Sequence, residues 1–199
     1  MQLIQDSREL SAYLAADEVI DHHHPQVRQV AAELGCGVRE PHDYARAAYV
    51  YVRDRIPHSA DAGDLRVTWR ASDVLALRTG ICHAKSHALV ALLRAGDVPA
   101  GLCYQRLTED DGTAPLIHGL VALKLPGCDG WLRQDSRGNT GNIDARFSLE
   151  RERLAFPVRP ESSEVDYPVL YAAPHPTVLR ALKEAPDRPA LWQTLPTAL

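Results

Sequence analysis

The chain has no surplus of positive charge. It carries 22 Lys and Arg against 26 Asp and Glu, a formal net charge of −4. That removes the electrostatic basis for binding nucleic acid or an anionic membrane surface. No apolar run reaches the roughly 20 residues a membrane-spanning helix needs. Cysteine is sparse: Cys36, Cys82, Cys103 and Cys128 lie far apart and form no C-x-x-C pair. This excludes a zinc ribbon and a disulfide scaffold. Each thiol is expected to be reduced, and the default for each is a small buried hydrophobe. The start, "MQLIQDSREL", lacks the basic and apolar stretches of a secretory signal, so a cytoplasmic protein is expected. There are no internal repeats and no low-complexity tract.

What is present fits one domain with a sizeable core: 199 residues, 45% hydrophobic and 24% charged. The first half reads as helices. Ser7 is placed to cap a short helix reaching about Ala16. Pro25 opens "PQVRQVAAEL", and Pro41 opens "PHDYARAAYVYVRDRI", with Tyr44, Ala47, Ala48, Tyr51, Val52 and Ile56 on its apolar face. Ser72 is placed to cap "ASDVLALR", which Gly80 would close. The next helix runs from about Cys82 to Ala95, ended by Gly96. Residues 99–107, 116–125 and 130–135 then read as strands, linked by the turn-like "TEDDGTAP" and "PGCDG". Helices followed by strands indicate an α+β fold, with the Cys82 helix packed on an antiparallel sheet. Eight of the 14 prolines fall from residue 157 onward. The expectation is a single domain over 1–199, with its core at about 20–156. The remainder, 157–199, would be an extension that packs on it, with one helix at 177–185.

Within "RTGICHAKSHALVALLRAG" (78–96), Cys82 falls in the first turn of a helix. Unpaired N–H groups and the helix dipole favour a thiolate there. Its proton partner could be His83, His87, His58 or His118. Adjacent helical residues point apart, and His87 sits about 140° around the helix, so His83 and His87 read as structural. His118 lies on a strand whose following turn would pair it antiparallel with 130–135. Paired positions then sum to about 253–256, which places His118 opposite 135–138. Asp135 is therefore placed to hold the His118 ring. Cys82, His118 and Asp135 make a nucleophile, base and orienting acid.

The stretches "VRDRIPHSAD" (52–61), "ASDVLALRTGICHAKSHALVALLRAGDVPAGLCYQRL" (71–107), "IHGLVAL" (117–123) and "GWLRQDSRGN" (130–139) resemble the bacterial transglutaminase-like superfamily, often labelled cysteine proteases. The resemblance runs from about residue 20 to 175. It implies a papain-like arrangement with a catalytic triad at Cys82, His118 and Asp135. His83-Ala84 stands where many relatives carry Gly-Glu or Gly-Tyr after the cysteine. Nothing in the chain suggests the calcium sites or added domains of the eukaryotic enzymes.

The remaining candidates are subsidiary. His58 is expected at the rim of the site, Trp69 along a substrate groove, and Gln105 as an oxyanion donor beside the Cys82 backbone N–H. Three consecutive histidines in "DHHHP" (21–25) cannot all face one ion on a regular element, so they are expected around a helix start. No metal or cofactor is expected, and the partner is a peptide or amide-bearing substrate. The activity expected is cysteine hydrolysis or acyl transfer at an amide, with hydrolysis favoured. The alternatives are a binding module that keeps the fold without chemistry, and a metal-dependent hydrolase built on the histidine run.

Overall fold

The computed structural model describes residues 1–109 and 113–199. Twelve labels suffice for its regular elements. The helices are α1 (Pro25–Gly35), α2 (Pro41–Arg55), α3 (Ala71–Leu77), α4 (Cys82–Ala95), α5 (Pro176–Glu184) and α6 (Arg188–Thr194). The strands are β1 (Ile4–Gln5), β2 (Ala100–Leu107), β3 (Leu116–Leu123), β4 (Leu132–Gln134), β5 (Val165–Asp166) and β6 (Val169–Leu170). Four strands form an antiparallel sheet in the order β4-β3-β2-β5, and β1 pairs with β6 in a small parallel ladder. The fold is α+β, as the order of helices and strands implied.

Helix α4 is the centre of the molecule. Every residue from Cys82 through Arg94 is buried. Leu89, Val90, Leu92 and Leu93 face neighbours on all sides, the pattern of a helix with no solvent face. Its polar residues are held by backbone carbonyls of the surrounding segments. His83 Nε2 contacts Ile117 O at 2.9 Å and His87 Nδ1 contacts Trp69 O at 2.8 Å. Arg94 donates to the carbonyls of Ala100, Ala15 and Ala172. Lys85 donates to the carbonyls of Arg53 and Ile56 at the end of α2. Burying a charged ammonium costs several kcal/mol. Burial accordingly brings the Lys85 pKa down to about 7, with Arg137 adding to the fall.

Two close approaches explain two glycines. A Cβ on Gly119 would stand 2.5 Å from His83 Nδ1, so β3 can lie against α4 only with glycine there. Gly96 ends α4 without a left-handed turn (φ −103°); the positive φ falls on Asp97. Its need for glycine comes from the Tyr44 ring, which a Cβ would meet at 2.1 Å, while the Tyr44 hydroxyl donates to Leu92 O.

Several local expectations change in the folded chain. Ser7 leads into a single 3₁₀ turn at Leu10–Tyr13, its Oγ accepting from Glu9 N. On α2 the fully buried aromatic is Tyr49, with Tyr51 at the edge of the core, because Tyr49 finds a distant hydrogen-bond acceptor in Asp135 O. Helix α3 has Arg70 at its N-cap, and Ser72 N donates to Asp21 from a different segment. Arg78, not Gly80, takes the left-handed position at its end. Cys36 is exposed and Cys128 half-buried, so only Cys82 and Cys103 meet the expectation of buried thiols. The linker "TEDDGTAP" falls partly on residues 110–112, outside the described residues. The histidine run does serve a helix start: His24 Nδ1 accepts from Gln26 N at the N-cap of α1.

The extension from 157 adds more structure than the single expected helix. It supplies β5 to the main sheet, β6 to the small ladder, and α6 besides α5.

Candidate active site

Cys82 is the first residue of α4, after Ile81, whose side chain gives no cap. The first N–H groups of the helix therefore have no side-chain acceptor and point toward the thiol's end of the helix. Gly80 is bridged to His58, with Ser59 N donating to Gly80 O at 3.1 Å. The "IPHSAD" loop is thereby fixed beside the helix start.

His118 arrives from β3. That strand pairs with β4 through Val121↔Gln134, Ala122↔Arg133 and Leu123↔Leu132, each pair summing to 255. The ladder ends at Gln134, and Asp135 follows directly. His118 Nε2 donates to Asp135 Oδ2 at 2.8 Å. The same carboxylate accepts from Ala155 N at 3.0 Å and Arg137 N at 3.0 Å. Both side chains are buried, at 2% and 0% exposure. With Nε2 engaged by Asp135, Nδ1 is the ring nitrogen left for a further partner, and Cys82 and His118 line the same cleft.

The electrostatics follow from these contacts. Burial alone would raise the Cys82 pKa. The neighbouring imidazoles of His83, His118 and His58 outweigh it and bring the thiol well below its ordinary value. Burial also holds His83 below the usual histidine range. Burial opposes a charge on His118 too, but Asp135 and Cys82 overcome it and raise His118. Asp135 is lowered: burial pushes it up, and the His118 charge and hydrogen bond, with two backbone N–H groups, pull it further down. The directions of these shifts all favour the charged forms of Cys82, His118 and Asp135.

The thiol opens on a cleft of about 510 Å³ lined by His58, His118, Leu107, Phe156, Trp192 and Leu195, among others.

A sequence profile described as "Transglutaminase-like superfamily" matches residues 28–136, more than half of the chain. The chain belongs to the transglutaminase-like superfamily. Among solved structures, a candidate cysteine protease from Cytophaga hutchinsonii superposes with a TM-score of 0.54 at 16% identity, covering 66% of this chain and 43% of that one. The periplasmic domain of TgpA from Pseudomonas aeruginosa gives a TM-score of 0.45 at 22% identity, covering 65% and 48%. The match thus spans less than half the length of either chain, and the likeness to the Cytophaga hutchinsonii structure speaks for the fold alone. Comparison with curated proteins finds no match.

Within this transglutaminase-like chain, Cys82, His118, Asp135 and His58 are brought together. Gln105 is not. It is the cross-strand partner of His118, but its Nε2 donates to Asp166 Oδ1 at 2.9 Å, on β5, outside the cleft lining. Trp69 is not either: its ring lies under Arg70 and Lys183, outside the cleft lining. The aromatic residues that do line the cleft are Phe156 and Trp192, from segments the sequence reading left unassigned. No local pattern marks them. Among the described residues, no cluster of His, Cys, Asp or Glu could hold a metal ion, and no helix is long and apolar enough to cross a membrane.

Proposed function

We propose that this transglutaminase-like domain is a cysteine hydrolase acting on an amide or peptide bond. The observation that carries the reading is the buried His118–Asp135 pair beside a thiol at a helix N-terminus, open to a cleft. Cys82 sulfur, as thiolate, attacks the carbonyl carbon and forms a tetrahedral oxyanion. His118 Nδ1 gives its proton to the departing amine nitrogen as the C–N bond breaks, leaving a thioester. His118, now neutral, takes a proton from an incoming water, whose oxygen attacks the thioester, and the sulfur leaves as thiolate. The favoured acceptor is water; an amine entering at the same step would make the reaction an acyl transfer.

Asp135 holds the ring in one tautomer and balances its charge throughout. The oxyanion forms at the start of α4, where the Cys82 N–H stands. His58, fixed there through Gly80 and within reach of the sulfur, is the side-chain donor in this reading, the part expected of Gln105.

The test is to incubate the protein with amide and peptide libraries and look for an acyl adduct by intact mass. An adduct mapped to Cys82, absent in Cys82→Ala and released by hydroxylamine, is the expected result. Selective iodoacetamide labelling of Cys82 near neutral pH should accompany it. A Cys82 no more reactive than Cys36, with no adduct, would instead favour a binding module.

A further inference from the structure

We propose that the cleft selects acyl groups with an apolar side chain next to the scissile carbonyl, and that Trp192 sets this preference. The inference rests on the acyl-transfer reading above and names its substrate class.

Each imidazole beside the thiol carries an aromatic ring that also lines the cleft. Phe156 meets His118 edge to face, with centroids 5.3 Å apart and planes at 88°. Trp192 meets His58 in the same way, at 6.5 Å and 85°. Leu107, Leu116, Pro157 and Leu195 complete the apolar lining. A side chain attached next to a carbonyl held at Cys82 therefore meets hydrocarbon and aromatic surface.

The arginines in the lining already have partners. Arg137 donates to both oxygens of Asp61, at 2.6 and 2.9 Å. Arg159 donates to Glu164 at 2.8 Å. The thiol and His118 face each other, and Glu109 is exposed at the rim. A charged substrate side chain entering between the two rings would lose water against aromatic surface.

Trp192 is positioned, not draped. Its helix is capped by Asp187, which accepts from Ala190 N at 2.8 Å, and anchored by buried Leu191. Arg188 N donates to Leu65 O at 2.8 Å at the front of the helix. Behind it, Ile117 N donates to Pro196 O at 3.1 Å and Arg106 Nε to Thr197 O at 3.0 Å. Yet the indole is 43% exposed. A large ring held in place and left open beside a reactive thiol is the signature of a surface meant to be covered.

The experiment uses peptidyl acyloxymethyl ketones, which the thiolate attacks with loss of the carboxylate to form a thioether. Four probes carry Phe, Leu, Lys or Glu next to the ketone, and labelling of Cys82 in the full chain is followed by intact mass. Phe and Leu probes should label at least about tenfold faster than Lys and Glu probes, the scale of one good apolar subsite. Trp192→Ala should cut that ratio to about threefold or less, and Trp192→Phe should retain most of it. Equal rates for all four probes would overturn the proposal, as would a ratio unchanged in Trp192→Ala. Failure of every probe to label Cys82 would overturn the acyl-transfer reading itself, and this inference with it.

Discussion

His118 and His83 lie near the same strand and are equally buried, at 2% and 1% exposure. One bonds a carboxylate and the other a backbone carbonyl, Ile117 O. Burial lowers the pKa of both. Only the ring with Asp135 and a thiol beside it is carried back above its ordinary value. Burial thus decides that a histidine is costly to charge, and the partner decides whether the charge is placed there anyway. His87, bonded to Trp69 O, behaves as His83 does, and burial brings its pKa down to about 4. The chemistry of the site depends on one carboxylate more than on how many imidazoles surround the thiol.

The strongest way to break this contrast is Asp135→Asn, which gives His118 an amide partner and makes it resemble His83. Turnover should fall roughly ten- to a thousand-fold, about 1.4–4 kcal/mol. In the native protein Cys82 is lowered and His118 raised. Loss of the carboxylate charge lowers His118 and thereby raises Cys82. The acid limb of the Cys82 alkylation profile should shift to higher pH. An unmoved profile in a folded variant would make Asp135 a turn residue.

A smaller effect is expected from His58, the imidazole without a carboxylate hydrogen bond. Its Nδ1 stands 3.9 Å from Asp61 and is unpartnered. His58→Ala should lower kcat about ten- to a hundred-fold with KM little changed, the low end of an oxyanion donor. His58→Gln should recover part of the loss, because an amide N–H can still donate. Equal kcat in native protein and His58→Ala would remove His58 from the reaction.

The smallest effect belongs to His83→Gln. The amide can replace Nε2–H toward Ile117 O, so only the packing against Gly119 changes. Denaturant unfolding should show a loss of about 1–3 kcal/mol, while the midpoint of the Cys82 alkylation profile stays within about 0.3 pH units. A larger shift would mean that His83 carries charge beside the thiol.

How much of this could be read from the sequence depended on distance along the chain. Cys82 at a helix start and the β3–β4 register are local facts, fixed by Gly80 and by a short turn. His118 and Asp135 followed from them. Gln105 was read as an oxyanion donor on the strand after α4, yet β5 brings Asp166 from about sixty residues away to capture its amide. Ser72 was on the correct helix, but Asp21 supplies the acceptor. Tyr49 and Tyr51 fit the α2 stripe similarly, and only the position of Asp135 O separates them. Trp192 lies in a proline-rich stretch where α6 is one short amphipathic turn after another. Its helix forms because Asp187 caps it and Leu191 has a core to enter.

Helix α4 and helix α6 should differ in how often they open. The amides of α4 are enclosed on every side, so they exchange with solvent only when the whole domain unfolds. Those of α6 rest on one buried leucine between the Arg188–Leu65 and Ile117–Pro196 hydrogen bonds, so they exchange through smaller, local openings. A hydrogen–deuterium time course would therefore place the interior turns of α4 on a slower clock than those of α6.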